Sequence, residues 1–286
     1  MNLVLDLRPP EGRHYRSWDQ RLATVARLAQ PDAVHALCEQ AHAIGLQAIL
    51  AVVNPAIREA LIEFQRWRDV PVWAVVPNMQ AFIRDLTDLG MVGAARARFL
   101  RLSPAEMVRQ GMRAVSQFRG VLKKDFATGT TLVADMELAG LRGLKVSHLF
   151  LHPQVTEVAL AGGVRAVFDA VLRRAAALSL SAGLVTNNPV RAAAVLGPDI
   201  ARFAVVAGPA NAAGYKMFPD RPSCEALYRT APARFCATEV TAAGHLSPSA
   251  ALSYVEGLEL GSALVDPAFV ERVALSDASP RTTMGA

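Results

Sequence analysis

Short, almost wholly apolar runs alternate along this chain with longer stretches whose apolar residues recur at helical spacing. The runs are LVLDL (3–7), AILAVV (48–53), VWAVVP (72–77), HLFLH (148–152), AGLVT (182–186), FAVVA (203–207), FCATEV (235–240) and SALVD (262–266). They are rich in Val, Leu and Ala and show little polar alternation. Parallel strands covered on both faces read this way; half-exposed antiparallel strands do not. Between them, DAVHALCEQAHAIG follows a proline and stops at Gly45, and GVRAVFDAVLRRAAALS puts Val164, Val167, Phe168, Val171 and Leu172 on one stripe. Ser247 precedes Pro248 as the N-cap of another helix. Eight strands, each followed by a helix, predict a single (β/α)8 TIM barrel over residues 1–275, with 276–286 as a flexible tail.

One interval breaks the alternation. About seventy residues separate the third and fourth strands, and the tract 90–145 predicts an insertion between strands 3 and 4, placed as a lid over the C-terminal face of the barrel. A second count takes TTLVADMEL, inside that tract, as a strand and demotes an earlier one.

The 286 residues suit one barrel, and 52% hydrophobic with 19% charged residues suits a packed globule. A net charge of +5 raises nucleic acid as a partner. The arginines are dispersed beside acids, as in IREALIEFQRWRD, and no basic stripe forms, so none is expected. Cys38, Cys224 and Cys236 have neither CxxC nor metal-finger spacing and read as buried small hydrophobes of a reducing compartment. No apolar run reaches a membrane span and MNLVLDL is too short for a signal peptide, so a cytoplasmic location and no membrane partner are expected.

In such a barrel the residues at strand C-termini converge on one mouth. Here they are Asp6, Asn54, Asn78, His152, Asn187 with Asn188, Asn211, Glu239 and Asp266. His152 is the candidate general acid/base, since an imidazole titrates near neutrality; a histidine bonded to backbone is the structural alternative. His148 lies deeper on the same strand face and reads as structural. Glu239, inside an apolar run, is the candidate partner of His152, and Asp6 is the third candidate catalytic group, with Arg8 as its ion-pair partner. Asn54, Asn78, Asn187, Asn211, Tyr215 and Lys216 are the candidate substrate-binding residues, while Asn188 before Pro189 reads as an N-cap. No strand contains lysine, which argues against an imine-forming aldolase. The turns after strands seven and eight lack the glycine-rich pattern of phosphate sites, so a phosphorylated substrate is not indicated.

FLHP, LVTNNP, VTAAGHLSPSAALSYV and SALV, within residues 145–275, give the C-terminal half a pattern that resembles the aldo-keto reductase family. The resemblance implies a barrel binding NADP(H), with His152 as the family's histidine and Asn187 as its nicotinamide-contacting asparagine. The family's aspartate, tyrosine and lysine have no counterparts in VVNPAIREAL or VVPN, so most of the reductase tetrad is missing.

The sequence thus predicts an enzyme doing acid/base chemistry, as a lyase, aldolase or isomerase, on a small polar, anionic metabolite. A diverged NADP-dependent oxidoreductase and a non-catalytic barrel serving as a binding or scaffold partner are the alternatives. No cofactor is required, although Asp6, His152 and Glu239 are a conceivable divalent-metal set and NADP follows from the resemblance. A homo-oligomer is compatible with all three readings.

Overall fold

The computed structural model describes residues 1–8, 18–100, 107, 134 and 137–278. Eight parallel strands close into a barrel in sequence order: β1 (Asn2–Asp6), β2 (Leu46–Ala51), β3 (Val72–Val76), β4 (Val146–Leu151), β5 (Ser181–Val185), β6 (Val205–Pro209), β7 (Phe235–Thr238) and β8 (Ser262–Val265). β8 returns to β1 through the register Asn2↔Ser262 to Leu5↔Val265. The helices between them are α1 (Trp18–Arg27), α2 (Pro31–Ala43), α3 (Pro55–Trp67), α4 (Met79–Phe99), α5 (Pro153–Ala161), α6 (Arg165–Ala177), α7 (Pro189–Leu196), α8 (Arg221–Tyr228), α9 (Pro248–Gly257) and α10 (Pro267–Ala278). The chain is a (β/α)8 barrel, and the strand count that leaves TTLVADMEL out is the one the closed sheet uses.

Period-two alternation sorts the apolar strands into two cores. Val4, Ala48, Leu50, Val52, Trp73, Val75, Phe150, Val185, Ala207, Cys236 and Leu264 fill the cylinder, while their neighbours Leu5, Ile49, Ala74, Leu151, Leu184 and Val206 pack outward against the helices. Both faces are dry, which is why the strands lack alternating polarity. Inside, Trp73 stacks on Phe150 at 5.3 Å between ring centroids and lies 4.9 Å from His148. His148 is thus part of the aromatic plug and bonds its Nδ1 with Ser147 Oγ at 2.9 Å, the structural role expected of it. Gly183 is required opposite this plug, because a Cβ there would fall 2.4 Å from the Phe150 ring.

Several boundaries differ from the sequence reading. β6 starts two residues late because Phe203 ends a 3-10 turn and is fully buried outside the strand. β7 stops at Thr238, so Glu239 is not in the body of a strand; its φ of +53° turns the backbone out of the ladder. α4 is broken by a kink at Gly90, whose φ of +66° is not helical, and residues 91–99 of the expected insertion are helical. Residues 101–106, 108–133 and 135–136 of that expected lid lie outside the described residues, as does 279–286 of the expected tail; residues 276–278 belong to α10. Among the described residues no helix is long and apolar enough to cross a membrane.

Candidate functional site

The rim at the C-terminal ends of the strands is built from two kinds of connection. After β2, β3, β4, β5 and β8 the chain enters a helix within one to three residues, whereas the connections after β1, β6 and β7 run for about ten. In the short connections the polar strand-end residue is the helix N-cap, usually with proline at the next position. Asn54 Oδ1 accepts from the Ile57 amide at 2.9 Å, Asn78 Oδ1 from Ala81 at 3.0 Å, Asn188 Oδ1 from Arg191 at 2.9 Å and Asp266 Oδ1 from Phe269 at 2.7 Å. Each oxygen satisfies one amide that the first helical turn leaves without a partner. Asn54 and Asn78, read from sequence as substrate ligands, therefore have a structural reason to stand at the rim. The Asn78 amide itself donates to the carboxylate of Glu137, which ties the end of the long β3–β4 connection to this face.

His152 also belongs to this capping series. It is the single residue between β4 and α5, and its Nδ1 accepts from the Gln154 amide at 3.3 Å. A ring nitrogen that accepts cannot carry the proton, so the proton resides on Nε2. The side chain is 2% exposed, and burial followed by the nearby Arg8 guanidinium pulls its pKa down to about 4. This corrects the expectation of an imidazole titrating near neutrality: His152 is neutral at pH 7, with its proton on Nε2. It sits at the floor of the mouth, two residues above Phe150 on the inward-facing side of β4.

Asp6 and Arg8 stand across from it at the end of β1. Arg8 Nε donates to Asp6 Oδ1 at 2.9 Å and Nη2 to Oδ2 at 2.6 Å, a two-point pair whose side chains keep 18% and 17% of their surface exposed. The partner anticipated for Asp6 is thus in place.

The long connections carry the third group. Asn211 is completely buried; its Oδ1 accepts from the Tyr215 amide at 2.8 Å and its Nδ2 donates to the Tyr215 carbonyl at 2.9 Å. Those two bonds close a small ring in the backbone, so Asn211 shapes the β6–α8 loop, and its amide faces protein instead of the mouth. The loop then presents Lys216 at φ +57°, whose Nζ reaches Glu239 Oε1 at 2.6 Å and lies 5.3 Å from the Tyr215 ring centroid. Both members of the Lys216–Glu239 pair hold left-handed backbone, an arrangement that costs a non-glycine residue about 1–2 kcal/mol. Their side chains are 27% and 22% exposed.

Asn187 is exposed at the end of β5, and the turn holding it is set by Glu157 of α5. That carboxylate accepts from the Asn187 amide at 2.6 Å and from Thr186 Oγ1 at 2.8 Å, while Thr186 Oγ1 accepts from the Asn188 amide. Sequence reasoning missed Glu157 and Thr186, because a glutamate in the second turn of a helix carries no local sign that it reaches a neighbouring strand end. It also passed over Thr238, which follows Cys236 on the inward side of β7 and is 6% exposed.

Among the described residues no three His, Cys, Asp or Glu side chains converge as a metal centre requires, and Asp6, His152 and Glu239 do not form one. The three thiols are unpaired and buried, and burial raises Cys38 and Cys236 to about 12 and Cys224 to about 11, which leaves them inert at neutral pH. No protein-family model matches the chain, and comparison with curated proteins gives no match either.

Proposed function

We propose that the protein is an enzyme of proton-transfer chemistry, a lyase, aldolase or isomerase, acting on a small polar metabolite that carries an anionic group. The observation that supports this reading best is the Lys216–Glu239 pair: two residues from separate loops, both in left-handed backbone, meet at the mouth of a barrel. Strained positions of this kind persist only where the surroundings enforce them, and they collect at functional sites.

Glu239 is the proton acceptor in this scheme. In the resting site Lys216 holds it; an anionic substrate competes for the ammonium and releases the carboxylate to take a proton from the adjacent carbon. His152 supplies its Nε2 proton as a hydrogen bond to the oxygen on which charge develops. A neutral imidazole held at a helix start does this without cycling through the imidazolium. Arg8, held by Asp6, orients the substrate from the other side, and Asn187 and Tyr215 border the entrance.

Hydrogen exchange tests the proposal. The protein is incubated in deuterium oxide with small 2-oxo carboxylates, pyruvate and oxaloacetate among them, and C–H loss or cleavage is followed by proton NMR. Wild-type protein is expected to exchange at least one of them, and Glu239→Gln to lose that exchange. A Glu239→Gln variant as active as wild type sinks the assignment. If no carboxylate reacts while NADPH quenches tryptophan fluorescence saturably, the aldo-keto reductase-like reading takes its place; if neither happens, the binding-barrel reading does. His152 follows β4 directly and Asn187 stands two residues after β5, while Asn54 and Asn78 cap helices at the strand ends where the reductase's own groups would stand.

A further inference from the structure

The turn between β7 and α9 contains a concentration of unmet hydrogen-bond donors. Val240, Thr241 and Ala243 are 3%, 6% and 8% exposed, and among the described residues their backbone amides have no acceptor. Buried amides without partners are rare and costly in folded proteins, and each needs an explanation. The same turn holds Glu239, Ala242 and Ala243 at φ +53°, +47° and +55°, followed by Gly244 at +96°. Left-handed residues in close succession point neighbouring amides to one side, the backbone arrangement that lines anion-binding concavities. A second observation is independent of the backbone. Thr238, 94% covered and inward-facing, has a hydroxyl with no hydrogen-bond partner among the described residues. The Lys216 ammonium closes the group, its nearest carboxylate being Glu239 itself.

We propose that this turn is an oxyanion seat: the amides of Val240, Thr241 and Ala243, the Thr238 hydroxyl and the Lys216 ammonium take the carboxylate or phosphoryl group of the substrate. The inference rests on the proton-transfer reading and says where that substrate's charge is held. It also revises the expectation drawn from the lack of a glycine-rich pattern. Ala242 and Ala243 adopt here the backbone that glycine adopts freely, and Gly244 continues it, so a turn with a single glycine does not speak against an anion at this position.

Amide resonances decide the matter. Wild-type protein is titrated separately with inorganic phosphate and with acetate at constant ionic strength, and the ¹H–¹⁵N signals of Val240, Thr241 and Ala243 are followed. Saturable shifts confined to these residues are expected with at least one of the two anions. Saturation by phosphate alone identifies a phosphoryl group, and by acetate alone a carboxylate. Thr238→Val, which keeps the side-chain shape, and Lys216→Met, at a partly exposed site, are each expected to weaken the midpoint at least tenfold. No saturable shift with either anion overturns the proposal, as does a midpoint unchanged in both variants. Failure here together with Glu239-dependent exchange of a 2-oxo carboxylate would remove the seat and leave the proton-transfer reading intact.

Discussion

Lowering the pH should destabilise this protein through His152 in a way that one substitution removes. The imidazole is held neutral, with a pKa near 4 in the folded chain against 6.5 in an unfolded one. Because the folded value is depressed, the unfolded chain binds the proton first as pH falls. The stabilising contribution is complete above about pH 6.5 and is lost as pH drops towards 4. The two constants give about 2 kcal/mol lost at pH 5 and about 3 kcal/mol at pH 4 relative to pH 7, at 1.36 kcal/mol per unit. His148, whose pKa burial also lowers, adds a loss of the same sign in every variant that retains it. The informative variant is His152→Asn. Asn54 and Asn188 show that asparagine caps a helix before proline in this barrel by accepting from the amide three residues on, so a cap bond, here from Val155, is kept while the titration disappears. Urea unfolding followed by circular dichroism from pH 4 to 8 should give a markedly shallower pH slope in His152→Asn than in wild type. Parallel curves would refute the claim that His152 is buried in its neutral form, and with it the role of Nε2 as a standing donor.

Three other outcomes follow from the geometry. Asn54→Ala should cost about 1 kcal/mol of stability by losing its cap bond, and it should leave the phosphate and acetate midpoints unchanged, which separates capping from substrate binding. Gly183→Ala drives a methyl into the Phe150 ring and should destabilise by about 2 kcal/mol, measured as a lowered urea midpoint; an unchanged midpoint would mean the aromatic plug is looser than described. Arg8→Gln removes the second-largest cause of the His152 depression and leaves Asp6 without its two-point partner. The His152 pKa, read from its ring-proton shifts, should therefore rise, and stability should fall by about 2 kcal/mol.

The barrel was legible because both its cores are dry. Runs such as VWAVV and FAVVA have no polar residue to turn towards solvent, and caps such as Asn188 and Ser247 announce helix starts through the proline that follows. The same signal has two meanings at the site. A polar residue after an apolar strand reads as a ligand of the mouth, yet in connections of one to three residues the strand end and the helix cap are one residue, so Asn54 and Asn78 had to do the second task. Asn211 has a structural task too: it lies in a long loop, and its side-chain amide bonds the backbone of that loop at Tyr215. What local sequence could not give was anything decided by left-handed backbone at alanine, lysine or glutamate, residue types that do not announce it, or by contacts such as Glu157 with Thr186 that join separate elements.

The uneven rim has one more consequence. Connections of about ten residues follow β1, β6 and β7, those after β6 and β7 stand side by side, and abrupt proline-started helices edge most of the remainder. Whatever enters would lean against one tall side and lie off the axis of the cylinder. Residues could be added to or exchanged in that tall side without touching a cap, whereas a single insertion at the low side would unseat a helix. Selection for a new ligand would therefore find nearly all its room in three segments, with the other connections left to keep the vessel closed.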